Sequence, residues 1–130
     1  MRIFKQNKLW RDKIVDMRQR LGSKLNWRRL NDAEFDQQLR IKLVEEADEV
    51  VAAKNRKELI EELADIYEVI DALIEVNHIS HDEIRAEQTK KREERGDFSG
   101  RRFVDTVQHP AGTSGESYCL ANPEKYPEIK

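Results

Sequence analysis

Proline and glycine are nearly missing from most of this chain. The three prolines all lie at or after Pro110, and Gly22 is the only glycine before Gly96. Nothing in the first 95 residues except Gly22 therefore forces a break, and long helices are permitted there. Cysteine is scarcer still. Cys119 stands alone, so no intrachain disulfide can form, and a reducing compartment is the simplest setting. Cys119 has no basic neighbour to activate it and reads as structural or incidental. No apolar run approaches the ~20 residues of a transmembrane helix. The opening MRIFKQNKLWRDK lacks the apolar stretch of a signal peptide. A cytoplasmic protein with no membrane partner is the expectation.

Charge is what the chain has in quantity. Charged and hydrophobic residues each make up 38% of its 130 residues, which fits one small folded domain. The net charge is only −2, but it is unevenly spread. Residues 1–30 carry +8, residues 31–88 carry −11 and residues 89–130 carry +1. An acidic middle bracketed by basic segments would suit a metal site flanked by cationic arms, as a polyphosphate ligand requires. It equally describes basic arms docked on an acidic bundle. Nothing in it suggests nucleic acid as a partner.

The periodicity predicts helices. A first helix from Trp10 to about Arg20 would put Ile14, Met17 and Leu21 on one face, with Gly22-Ser23 ending it. A second starts near Asn31-Asp32, where Asn31 and Glu34 fit an N-cap and its third-position acid. Phe35, Leu39, Leu43 and Val50 form its apolar stripe, and Glu46 falls on that stripe where Leu is expected. After a turn at Lys54-Asn55-Arg56, a third helix runs from about Lys57 to Asn77, striped by Leu59, Leu63, Ile66, Ile70 and Leu73. Ser80 caps a fourth, from His81 to about Arg95, which Gly96 ends. From Val104 the composition turns to Gly, Ser and Pro without helical period, and an extended tail is expected. The predicted fold is all-α: an antiparallel helical hairpin core with flanking helices. The domain would be residues 1–103, with 104–130 a tail packing on the bundle or on a partner subunit.

Four acids carry the chemistry. Glu46 with Glu49, and Glu62 with Asp65, are each three residues apart and so share a helix face. Both Glu46/Asp65 and Glu49/Glu62 centre on position 55.5, inside the predicted turn. A hairpin there brings the four level across it. Four convergent carboxylates repel unless a cation lies between them, and oxygen-only ligands suit Mg2+ or Mn2+. The plainer alternative is salt bridging to Lys42, Arg56 or Arg40. On the fourth helix, Lys91 and Arg95 are four apart and share a face, as a phosphate clamp needs. Lys8, Arg11 and Lys13 are N-terminal candidates for the same role. Trp10 and Trp27 could stack on a base but read first as core. His78, His81 and His109 have no ligand spacing with the acids, and Glu68 reads as surface.

These residues resemble a known family. KLVEEADEV and EELADI are similar to the EExxE, spacer, ExxD signature of the MazG-like all-α nucleoside triphosphate pyrophosphohydrolases. NKLWRDKI resembles the opening, and KKREERGDF the last-helix ending, of a subgroup related to phosphoribosyl-ATP pyrophosphohydrolase. Trp10 and Val15 stand where that subgroup often has Val and Pro. The resemblance implies Mg2+-dependent cleavage of a nucleoside triphosphate to monophosphate and pyrophosphate, as in clearing noncanonical nucleotides. It implies Glu46, Glu49, Glu62 and Asp65 as metal ligands, and leaves Glu45 to orient or deprotonate a water. It also implies a bundle completed across subunits, as a homodimer or higher homo-oligomer. Phosphoribosyl-ATP is the alternative substrate, although Glu68 stands where that enzyme often has His. A non-catalytic helical module that binds a partner or senses a nucleotide is the alternative of another class.

Overall fold

The computed structural model describes residues 1–130 and contains five helices and no strand. They are α1 (Asp12–Arg20), α2 (Asp32–Ala52), α3 (Arg56–Val76), α4 (His81–Arg95) and α5 (Ser114–Ala121). The chain is all-α, as expected. It divides into two compact units, Met1–Lys91 and Arg92–Lys130.

The helix starts follow from side-chain caps. Asn31 accepts a hydrogen bond from the Glu34 backbone N–H, and Asn55 accepts one from Glu58, each at 2.9 Å. Glu58 reaches back to the Lys54 N–H at 2.8 Å, which fixes the chain entering α3. At α4 the exchange is reciprocal: the Glu83 N–H donates to Ser80 Oγ and the Ser80 N–H donates to Glu83 Oε2. The helix ends are as well defined. Behind α1, the Ser23 N–H bonds back to Arg18 and the Gly22 N–H to Gln19, with Gly22 at φ +96°. The same pair of bonds closes α3, from Ile79 to Ile74 and from His78 to Glu75, with His78 taking the left-handed position at φ +54°.

In the first unit the extensive helix packing is between α2 and α3, the predicted hairpin. Leu39 on α2 and Val69 and Ile74 on α3 are its buried apolar residues. The α2 stripe points inward as expected: Phe35, Leu43 and Val50 are half-buried, and Glu46 is buried on it. The α3 stripe does so only in part. Ile66, Ile70 and Leu73 are half-buried, whereas Leu59 and Leu63 near the turn are exposed. Nor does the expected α1 face find a core: α1 buries no side chain, and Leu21 just beyond it is exposed. Trp10 is half-buried, but Trp27 is exposed, with the Arg29 guanidinium over its ring at 5.7 Å.

The second unit corrects the expected tail. Residues 104–130 are not extended throughout, because Ser114–Ala121 form α5. Thr113 caps it by accepting from Glu116, whose carboxylate accepts from the Gly112 N–H at 3.1 Å. Eight residues with no consistent apolar face leave no periodic signal. The T-x-x-E pattern at Thr113 and Glu116 was the one local cue.

Candidate metal centre

The hairpin brings Glu46 on α2 beside Glu62 and Asp65 on α3. One carboxylate oxygen from each lies within 4.8 Å of the others. Glu46 is the only buried charged residue of the chain, at 9% exposure, and Glu62 and Asp65 are half-buried. Glu49, the fourth acid of the predicted set, is exposed and stands outside these three. Its charge still bears on Glu46 and Glu62.

The electrostatics are those of a site short of positive charge. Burial pushes the Glu46 carboxyl above the ordinary carboxylate range, and the Asp65 charge adds to it, against a smaller opposing pull from Lys42. Glu62 is raised as well, by desolvation first and then by Asp65, Glu49 and Glu46. Three hard oxygen donors, with Glu46 and Glu62 raised, fit a divalent cation of the Mg2+ or Mn2+ kind, which would favour the charged forms of those two. The cluster could bind a metal on this chemistry.

Three cations pair with these acids and with Glu45. Lys8 Nζ lies 3.1 Å from Glu45 Oε1, and Lys42 Nζ lies 3.5 Å from the same oxygen. Burial alone would raise the Glu45 carboxyl, but the Lys8 hydrogen bond and the Lys42 charge outweigh it and hold it below the usual value. Lys42 also lies 3.7 Å from Glu46 Oε1. Arg11 Nη2 donates to Asp65 Oδ1 at 2.6 Å.

The predicted phosphate-binding residues separate into two groups. Lys8 and Arg11 lie against the acids, whereas Lys13, Lys91 and Arg95 are exposed and make no ion pair. Lys42 was visible in sequence only as a salt-bridge partner of nearby acids, and its half-buried place beside Glu45 and Glu46 has no further signature. The Arg11–Asp65 pair spans 54 positions, and nothing local announces it. Of the other suggested partners, Arg40 pairs with Asp36 and Arg56 pairs with no acid.

Fold and site together define an all-helical protein whose central hairpin gathers acidic residues able to take a metal ion. A family model described as phosphoribosyl-ATP pyrophosphohydrolase matches residues 19–92, more than half of the chain. The chain belongs to this MazG-like, all-α family, whose members are nucleotide pyrophosphohydrolases. The match spans the acid motifs and Lys91 but not Lys8, Arg11, Lys13 or Arg95. No curated protein and no solved structure matches the chain. No helix is long and apolar enough to cross a membrane.

Proposed function

We propose that the protein is a Mg2+-dependent pyrophosphohydrolase that cleaves nucleoside triphosphates to the monophosphate and pyrophosphate, with Mn2+ as a substitute metal. The convergence of Glu46, Glu62 and Asp65 across the hairpin carries this reading. Those three, with Glu49 at the rim, would hold the cation. Bound there, it would withdraw charge from the phosphates and make water more acidic. The chain's own residues supply the rest. Water attacks the α-phosphorus and gives up a proton to Glu45, and the bridging bond to the β-phosphate breaks as pyrophosphate leaves with the electron pair. Glu45, kept ionised by Lys8 and Lys42, accepts a hydrogen bond from the attacking water and orients it. Lys8, Arg11, Lys13, Lys91 and Arg95 are the cations proposed to take the substrate's phosphates.

Residues 1–103 would form the catalytic domain, and the cytosol is the compartment we propose. A second copy of the chain is proposed as a partner. Ile41, Val44, Ile60 and Tyr67 are among the large side chains exposed on α2 and α3. Their burial against a second copy would supply the core that three buried apolar residues do not.

Phosphoribosyl-ATP is the second substrate reading, suggested by the description of the matching family. Pyrophosphate release should be screened over canonical triphosphates, modified triphosphates and phosphoribosyl-ATP, with Mg2+, Mn2+ or EDTA. Turnover of the triphosphates that EDTA stops is the expected result. Turnover of phosphoribosyl-ATP alone would establish the second reading. Silence with every compound would return the chain to a binding or sensing module. Light scattering checks the second copy: a monomer at micromolar concentration overturns that part.

A further inference from the structure

Asp65 serves two structures at once. It is one of the three acids whose oxygens converge, and it accepts the Arg11 guanidinium at 2.6 Å. We propose that Arg11 is a tethered counter-cation: it holds Asp65 while the centre is empty of metal, and the divalent cation releases it to meet the substrate's polyphosphate. The inference rests on the metal-dependent reading above and adds how that site is loaded.

Three observations carry it. First, Arg11 is lightly held. The segment before it has no regular secondary structure, and α1 behind it buries no side chain. Arg11 and Asp65 are 57% and 38% exposed at their side chains. An ion pair so exposed is worth no more than about fivefold in an equilibrium. A divalent cation meeting three carboxylates outcompetes it, because the charge doubles and every acid gains. Second, the Arg11 side chain has no hydrogen bond other than the one to Asp65. Arg11 is the N-cap residue of α1, in extended backbone at φ −64° and ψ 140°, and its side chain makes no cap bond. Third, the other two cations stay. Lys42 sits one helical turn from Glu46 on α2 and cannot leave with the arm. Lys8 pairs with Glu45, outside the converging three, so the arm keeps an anchor after Arg11 lets go. The released guanidinium is a planar donor suited to phosphate oxygens, and it stays tethered beside the centre.

Trp10 adjoins Arg11 and reports on the arm. With Trp27→Phe in the full-length chain, its emission becomes the only tryptophan signal. Mg2+ titration should change that emission with the midpoint found calorimetrically for Mg2+ binding. Arg11→Gln should bind Mg2+ about two- to fivefold more tightly and lose the emission response. Arg11→Lys, which keeps a pairing cation, should bind Mg2+ as the parent does. Unchanged or weaker Mg2+ binding by Arg11→Gln overturns the proposal and leaves the metal-dependent reading standing. Failure of both the parent and Arg11→Gln to bind Mg2+ overturns both. If Arg11→Gln does not fold, a parent whose Trp10 emission ignores saturating Mg2+ overturns the proposal by itself.

Discussion

Asn77 donates its side-chain amide to Asp36 Oδ1 at 2.7 Å, joining the first turns of α2 to the residue that ends α3. The same amide nitrogen donates to the Leu73 carbonyl at 2.9 Å, so one nitrogen makes both bonds. This contact closes the hairpin at the end away from its turn, while the acids occupy its middle.

The Asp36 carboxyl is held below its ordinary value, first by the Asn77 hydrogen bond and then by Arg40. A depressed carboxyl stabilises the fold above its unfolded-state pKa, and that contribution fades as pH falls through the lower folded value. Asn77→Ala should raise the Asp36 titration midpoint in a carbon-detected NMR titration. It should also lower the melting temperature more at pH 7 than at pH 3. A midpoint unmoved by the substitution would remove Asn77 as the cause.

Glu46 has the opposite sign. Its folded-state carboxyl is raised, so its charge opposes folding above the folded value, and the penalty vanishes below the unfolded one. A divalent cation that binds only the folded state adds about 2.7 kcal/mol when present at a hundred times its dissociation constant. Mg2+ should therefore raise the melting temperature at pH 7 and do so less at pH 5, where protons compete for the acids. In Glu46→Gln the metal-free protein should melt no lower than the parent at pH 7, and the Mg2+ response should disappear. An undiminished response in that variant would exclude Glu46 from the centre.

Leu39 is 4% exposed, the most buried of the three core residues. Leu39→Ala should cost about 2–4 kcal/mol in a denaturant melt, through lost transfer energy and the cavity left behind. A loss below about 1 kcal/mol lies outside the spread such truncations have and would mean that Leu39 is not a packed core residue.

His78 closes α3 in the left-handed conformation at φ +54°, as Gly22 does behind α1. A residue with a Cβ is strained there, and glycine removes the strain at the cost of a more flexible unfolded chain. His78→Gly should stabilise the protein by about 0.5 kcal/mol, and Gly22→Ala should destabilise it by about 1 kcal/mol. Thermal melts of the two variants side by side check both signs.

The residues legible in sequence were those whose signal is local. Asn31, Asn55, Ser80 and Gly22 mark helix ends with the side chain or the conformational freedom each position needs, and the helices follow. Glu46 could be picked out because a charge on an apolar stripe breaks a periodic pattern, and the structure buries it there. The end of α3 at Asn77-His78 was legible, but the left-handed conformation of His78 was not, because a residue other than glycine carries it. Helix α5 escaped because a short helix without an apolar face has no period to read.

By itself, then, the sequence determined the first four helices, the turn of the hairpin and the acids that face each other across it. These depend on spacing along one chain and on side chains bonding to their own neighbours. Only the tertiary structure decided that Asp65 meets Arg11, that Lys8 and Lys42 share Glu45, and that Glu49 stands outside the three acids that converge. It also decided that Trp27, Leu59 and Leu63 remain exposed. Such facts depend on where distant segments come to rest, and a charge or an apolar side chain carries no local mark of the partner it will meet.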